Sequence, residues 1–187
     1  ADNELLKGLS REDSLTCLLQ MTGKKLNAAA REQTLQEKNK LFLQYLEHMT
    51  AKDILPGVQE LLAFLKNKHI KLAVASSSKN AKIVLQKTGL ITWFDEVVDG
   101  TQLQRAKPDP EVFLKAAQRL HVAPRHAIVF EDAQAGVEAA LAGGFYCVGI
   151  GDTNLLHQAH LVIPHFQALA IANLWKSLSD LPAEVKH

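Results

Sequence analysis

Apolar positions along the chain follow two periods, and the pattern changes over once, near Pro56. Residues 1–50 carry only the helical period. Leu15, Leu18 and Leu19 form a stripe at helix spacing. Ser10-Arg11-Glu12-Asp13 precedes them and reads as a capping box with Ser10 at the N-cap. Thr22-Gly23-Lys24 reads as a turn. A second helix is predicted from Ala28 to about His48, with Leu35, Phe42, Leu43, Tyr45 and Leu46 on its buried face. Ala51 to Gly57, which includes Pro56, reads as a hinge.

From Pro56 onward, helix and strand patterns alternate. Helices are predicted over Val58–Lys68, Asn80–Thr88, Pro110–Leu120 and Ala133–Leu141. Val58, Leu61, Leu62 and Leu65 face inward in the first, Gly89 stops the second, and Pro110 lies in the first turn of the third. Strands are predicted over Ile70–Ala75, Glu96–Val98, Ala127–Phe130 and Tyr146–Ile150. Short apolar runs separated by helices argue for an α/β fold: a Rossmann-like parallel sheet with right-handed crossovers. Asn173–His187 reads as a C-terminal helix, and Trp93-Phe94 and Trp175 as packing residues.

Composition narrows the function classes. With 187 residues and 47% apolar content, the chain can bury a sizeable core. Its 21 basic and 20 acidic residues give a formal net charge of +1, which supplies no reason for a nucleic-acid partner. No apolar run approaches a membrane span and no signal peptide is visible, so a soluble cytoplasmic protein is expected. The two cysteines, Cys17 and Cys147, read as buried reduced thiols rather than metal ligands. His157, His160 and His165 read as solvated residues of the tail rather than a metal site.

Candidate chemistry gathers at the predicted strand tips, where open α/β sheets bind ligands. Glu131-Asp132 follows the run Ala127–Phe130. Two carboxylates there suit a hard cation such as Mg²⁺, which takes oxygen ligands. The competing reading is that Asp132 caps the following helix. Ser76-Ser77-Ser78-Lys79-Asn80 brings hydroxyls, a lysine and a helix N-terminus together after Ile70–Ala75, a suitable phosphate cradle. Taken in isolation, the segment reads rather as a serine-rich N-cap loop. In Lys107-Pro108-Asp109-Pro110 two prolines stiffen the backbone around a lysine suited to a phosphoryl oxygen, or else leave it exposed in a turn. Gly149–Asp152 suggests no chemistry.

Taken in order, a hydroxyl, a loop lysine and an acid pair at successive positions resemble the haloacid dehalogenase (HAD) superfamily of phosphohydrolases and phosphomutases, over nearly the whole chain. The resemblance implies that Ser76 and Lys107 grip the phosphoryl group in flight, and that Glu131 and Asp132 hold Mg²⁺. It implies a helical cap over residues 1–52 and a HAD-like α/β core over 53–187. Lys7–Ser14, Lys38-Asn39, Ala75–Asn80, Lys107–Phe113 and Glu131–Gly136 are similar to the superfamily's sugar phosphomutases. That likeness implies that Arg11, Ser78, Lys79 and Asn80 hold the phosphate that is not being transferred. Gly8, Leu9, Ser10 and Lys38 would line the sugar side. The implied activity interconverts β-glucose 1-phosphate and glucose 6-phosphate through a bisphosphate, in a monomer with no partner but a small sugar phosphate. Phosphoryl transfer is mostly positioning and charge neutralisation, which these residue types supply. An arginine fork meets phosphate oxygens bidentately, and cap closure would exclude water. A sugar-phosphate phosphatase would share Ser76, Lys107, Glu131 and Asp132. A non-catalytic phosphosugar-binding module is the alternative of a different class.

The superfamily's first motif, Asp-x-Asp with the phosphorylated nucleophile and the acid/base, is absent. Val97-Val98-Asp99-Gly100-Thr101 ends like it, but Val97 stands at the nucleophile position, so Asp99-Gly100 reads as a turn. The sequence opens without an initiator, and Met21 is its first methionine. The expectation is that a segment ahead of Ala1 supplies the nucleophile, the start of the cap and a middle strand between Ile70–Ala75 and Ala127–Phe130. Alone, the given residues should be inactive and bind Mg²⁺ weakly or not at all.

Overall fold

The structure is a computed structural model and describes residues 6–168; Trp175 and the helix expected over Asn173–His187 lie outside them. Helix α1 spans Arg11–Thr22 and α2 spans Ala28–Glu47. The Ser10 hydroxyl caps α1 by accepting from the Asp13 N–H at 3.1 Å, while the Asp13 carboxylate accepts from that hydroxyl. Gly23 closes α1, as the turn expected there requires. The Asn27 side chain caps α2 by accepting from Ala30 N at 2.8 Å. Arg31 of α2 donates to Thr16 Oγ1 of α1 at 2.7 Å and ties the pair together.

The buried face expected for α2 is only partly correct. Leu46 is 1% exposed and Leu35 and Leu43 are half-buried, but Phe42 is 38% and Tyr45 63% exposed. The inward row runs Leu35, Asn39, Leu43, Leu46, at helical steps of four and three. Tyr45 stands off that row. Leu18 of α1 is also exposed, while Leu15 and Leu19 are half-buried. Ala51–Asp53, inside the segment read as a hinge, forms a single 3₁₀ turn closed by a Thr50–Asp53 capping box.

The α/β region runs α3 (Val58–Asn67), β1 (Ala73–Ala75), α4 (Ala81–Thr88), β2 (Glu96–Val98), α5 (Glu111–Leu120), β3 (Ile128–Glu131), α6 (Gln134–Ala142), β4 (Tyr146–Ile150) and β5 (Leu161–Ile163). All pairings are parallel, as expected. They form two sheets: β1 with β2, and β3–β4–β5. β1 starts at Ala73 rather than Ile70. The Leu72 N–H goes instead to the Asp95 carboxylate at 2.7 Å, and the Leu72 carbonyl accepts from Asp95 N at 2.8 Å. α5 starts at Glu111, so Pro110 stands at its N-cap, one residue outside the expected first turn. β3 reaches Glu131, making the first acid of the pair the last residue of the strand. β5 has no counterpart among the predicted strands.

The core packs α5 and α6 against the strands through Val98, Val112, Phe113, Val129, Val137 and Cys147. Phe113 and Phe145 meet edge to face, with centroids 6.0 Å apart. Cys147 is free and buried, and burial pushes its thiol up to about 12. Cys17 is free but only half-buried, so the burial expected of it does not hold. Among the described residues no strand joins β1 to β3. An apolar cavity of about 800 Å³ lies there, lined by residues that include Leu61, Ala73, Ala75, Phe113, Val129 and Phe130. No described helix is long and apolar enough to cross a membrane.

Candidate functional site

Parallel strands put all their C-terminal ends on one edge of a sheet, and the predicted site segments follow such ends. β1 leads into Ser76–Asn80, and β3 ends on Glu131 with Asp132 next in the chain.

Lys107 and Glu131 meet in the interior. Nζ donates to Oε2 at 2.9 Å, and the two side chains are 5% and 8% exposed. The same ammonium lies 4.7 Å from the Phe113 ring centroid, a cation–π contact. The exposed-lysine reading of the proline turn is thereby overturned. Gly136, in the first turn of α6, makes room for the carboxylate: a Cβ there would come 2.1 Å from Glu131 Cδ. Gly8 lies against the same place, next to Ala133 and Glu131. Burial raises the Glu131 carboxyl above its ordinary range; Lys107 opposes this and the Asp132 charge adds to it. Asp132 is exposed, and the N-cap of α6 is Ala133, with no side-chain capping bond. The helix-cap reading of Asp132 therefore fails.

The loop that delivers Lys107 is held by acids. Glu111 accepts from Arg105 N at 2.6 Å and from Gln104 N at 3.0 Å, and pairs with Lys115. These bonds, Lys115 first, lower its carboxyl to about 2. Asp109 accepts from Glu111 N at 3.0 Å and from Arg105 at 2.9 Å.

The second centre lies where the α1–α2 pair meets the loop after β1. Within the loop, Ser76 Oγ accepts from Ser78 N at 3.1 Å, and Ser78 Oγ accepts from Asn80 N at 3.2 Å. Asn80 is buried at the start of α4 and donates to Asn39 Oδ1 of α2 at 2.9 Å. Gly100 presses against the loop from behind: a Cβ there would come 2.2 Å from the Ser77 carbonyl oxygen. Asp99-Gly100 is a turn, as expected, with Asp99 accepting from Thr101 N at 3.0 Å.

A cavity of about 230 Å³ opens between these elements. Leu9, Arg11, Lys38, Ser78, Lys79 and Asn80, all singled out in the sequence, line it together. Ser10, Ser76, Lys107, Glu131 and Asp132 are not on its wall, and neither is Gly8. Sequence reading missed Glu12, whose Oε1 accepts from Lys79 Nζ at 2.9 Å across 67 positions of chain. Lys79 holds the Glu12 carboxyl below its ordinary range. Glu12 lies inside a run already noted for its capping box, which is the only local signal it offers.

Among the described residues no three His, Cys, Asp or Glu side chains form a metal cluster. Glu131 and Asp132 are right in kind for Mg²⁺, and the repulsion between them is what a cation relieves. They are short in number, and one Glu131 oxygen already accepts from Lys107. The histidines have local roles. His160 Nδ1 accepts from Cys147 N at 3.1 Å and its ring stacks on Tyr146, while His157 meets the Asn154 carbonyl.

Parallel sheets with a cavity walled by three cations and a buried lysine–carboxylate pair at a strand end belong to a known class. The chain is a member of the haloacid dehalogenase-like hydrolase family, whose profile matches residues 3–150. Within it, the chain is similar to the β-phosphoglucomutase of Bacillus subtilis strain 168, with 37% identity over 187 residues, 99% of this chain and 77% of that protein. It is also 40% identical over 111 residues to a phosphorylated carbohydrates phosphatase of Thermotoga maritima, covering 58% of this chain and 49% of that one. The crystal structure of β-phosphoglucomutase from Clostridium difficile matches the fold with a TM-score of 0.90 at 34% identity, over 96% of this chain and 81% of that one.

Proposed function

We propose that these residues are the phosphate-binding and phosphoryl-gripping part of a β-phosphoglucomutase, which interconverts β-glucose 1-phosphate and glucose 6-phosphate through a bisphosphate. The observation that carries this reading is that cationic side chains stand in two separate places. One is the cavity with Arg11, Lys38 and Lys79 on its wall; the other is the strand end where Lys107 is buried. A bisphosphate needs both, one for each phosphate.

In this reading Arg11 receives the phosphate that stays, with its fork on two oxygens. Ser78, Lys79 and Asn80 complete that cradle, and Gly8, Leu9, Ser10 and Lys38 line the sugar side. The phosphoryl group in flight spreads its charge over its oxygens, and Ser76 and Lys107 meet them. Glu131 holds the Lys107 ammonium in place. Glu131 and Asp132 would hold Mg²⁺, which when bound neutralises phosphoryl charge. Helices α1 and α2, within the cap proposed for residues 1–52, cover the core of 53–187 and exclude water. The protein acts as a cytoplasmic monomer on a small sugar phosphate.

The described residues offer no carboxylate at the nucleophile position. The proposal therefore includes a strand with Asp-x-Asp lying between β1 and β3, and no turnover by the given residues alone. The apolar cavity between the two sheets, and the edges of β1 and β3 that pair with no strand among the described residues, support it.

The T. maritima relative favours a second reading, a sugar-phosphate phosphatase. Product analysis with β-glucose 1-phosphate separates the readings. The chain starting at Ala1 is expected to yield nothing, and turnover by it overturns the missing-strand proposal. The chain with the upstream codons of its gene is expected to yield glucose 6-phosphate. Free phosphate as sole product would make it a phosphatase, and an upstream segment without Asp-x-Asp, a binding module.

A further inference from the structure

Lys79 is one of three cations on the wall of the cavity, and Glu12 is the one acid among the residues lining it. Among the described residues Arg11 and Lys38 have no carboxylate partner, whereas Lys79 is bonded to Glu12 at 2.9 Å. The pair links the first turn of α1 to the loop before α4. We propose that Glu12 is a built-in counter-anion, occupying Lys79 until a phosphate displaces it, so that every phosphate entering the cavity competes with this carboxylate. The proposal rests on reading the cavity as a phosphate site.

Three features make the exchange cheap enough to occur. The pair is half in water, with side chains 50% and 47% exposed, so breaking it strands no buried charge. Glu12 lies in the first turn of α1, where the helix N-terminus favours negative charge whether or not Lys79 is near. A phosphomonoester brings two charges and several acceptor oxygens against one carboxylate, and can engage Arg11 at the same time. Asn80 cannot exchange in this way: its side chain is buried and donates to Asn39. The wall thus has a fixed part, Asn80 with Asn39, and a displaceable part, Lys79 with Glu12.

Calorimetric titration of inorganic phosphate into the full chain tests this in four proteins: wild type, Glu12→Gln, Lys79→Gln and the double variant. Glu12→Gln is expected to bind phosphate about two- to fivefold tighter, the range an exposed ion pair supports. In the Lys79→Gln background the same substitution is expected to change affinity by less than about twofold. Unchanged or weaker binding by Glu12→Gln overturns the proposal, and so does an equal gain with Lys79 absent. Absence of phosphate binding in all four proteins overturns the reading of the cavity itself, and the counter-anion with it. Binding by wild type without a Glu12 effect removes the counter-anion alone.

Discussion

Two lysine–glutamate pairs in this protein have the same length, 2.9 Å, and opposite surroundings. Lys107–Glu131 is almost wholly buried at the end of β3, while Lys79–Glu12 is half exposed between α1 and the loop after β1. The buried pair is fixed: water has left both partners, and removing either strands the other as an uncompensated charge. The exposed pair is weak, because water and salt screen it and either partner can be solvated alone. The difference matches the tasks proposed for them. A group that meets a phosphoryl in flight gains from being held in one place before the reaction. A group that admits and releases a substrate phosphate gains from a bond that exchanges.

Removing one partner of the buried pair is the strongest way to break the comparison. Lys107→Met is expected to cost about 3–5 kcal/mol of unfolding free energy at neutral pH, read from urea denaturation. Lys107→Met/Glu131→Leu should regain most of that loss, because it leaves no stranded charge. The pH dependence carries a sign. Burial raises the Glu131 carboxyl, so the folded state holds that proton more tightly than the unfolded chain, and stability drops as pH rises above the ordinary value of 4.5. In Lys107→Met the deficit should therefore shrink as pH falls toward 4.5. A deficit below about 1 kcal/mol at neutral pH would place Lys107 in the same energetic class as Lys79.

A smaller effect concerns Glu111, which holds the loop leading to Lys107. Its carboxyl is lowered from 4.5 to about 2, so the folded state holds its proton less tightly than the unfolded chain. The stabilisation is complete above 4.5 and lost as pH falls toward about 2. Thermal melts in that window should show a steeper acid loss for wild type than for Glu111→Gln. Parallel curves would mean that the loop is held without this carboxylate.

The smallest effect belongs to the exposed pair. Glu12→Gln should change stability by less than about 1 kcal/mol, with a melting shift of no more than about 4 °C. A larger loss would show that the pair holds α1 in place rather than standing ready to exchange.

Legibility of the fold followed the range of the forces involved. Glu96–Val98 and Tyr146–Ile150 have the predicted bounds because apolar run and flanking turns are both local. β1 lost its first residues to Asp95, more than twenty positions away, whose side chain replaces a ladder bond. Tyr45 fits the apolar pattern of α2, yet stands in water because the inward row passes through Asn39 instead. β5 has no predicted counterpart: its three half-buried residues, Leu161–Ile163, lie between His160 and His165 in the segment read as a solvated tail.

The candidate site divides in the same way. Ser76–Asn80, Lys107–Pro110 and Glu131-Asp132 were legible because their chemistry lies within a few consecutive residues at predicted strand ends. By itself the sequence determined those segments, the helices and strands that flank them, and the family to which the order of motifs belongs. Only the tertiary structure decided which carboxylate each lysine meets: Glu131 for Lys107, 24 positions on, and Glu12 for Lys79, 67 positions back. It also decided that one pair is dry and the other wet. The reason is physical: residue type sets what a charge can do, but the packing of distant elements sets how much water remains around it, and so how strongly it is held.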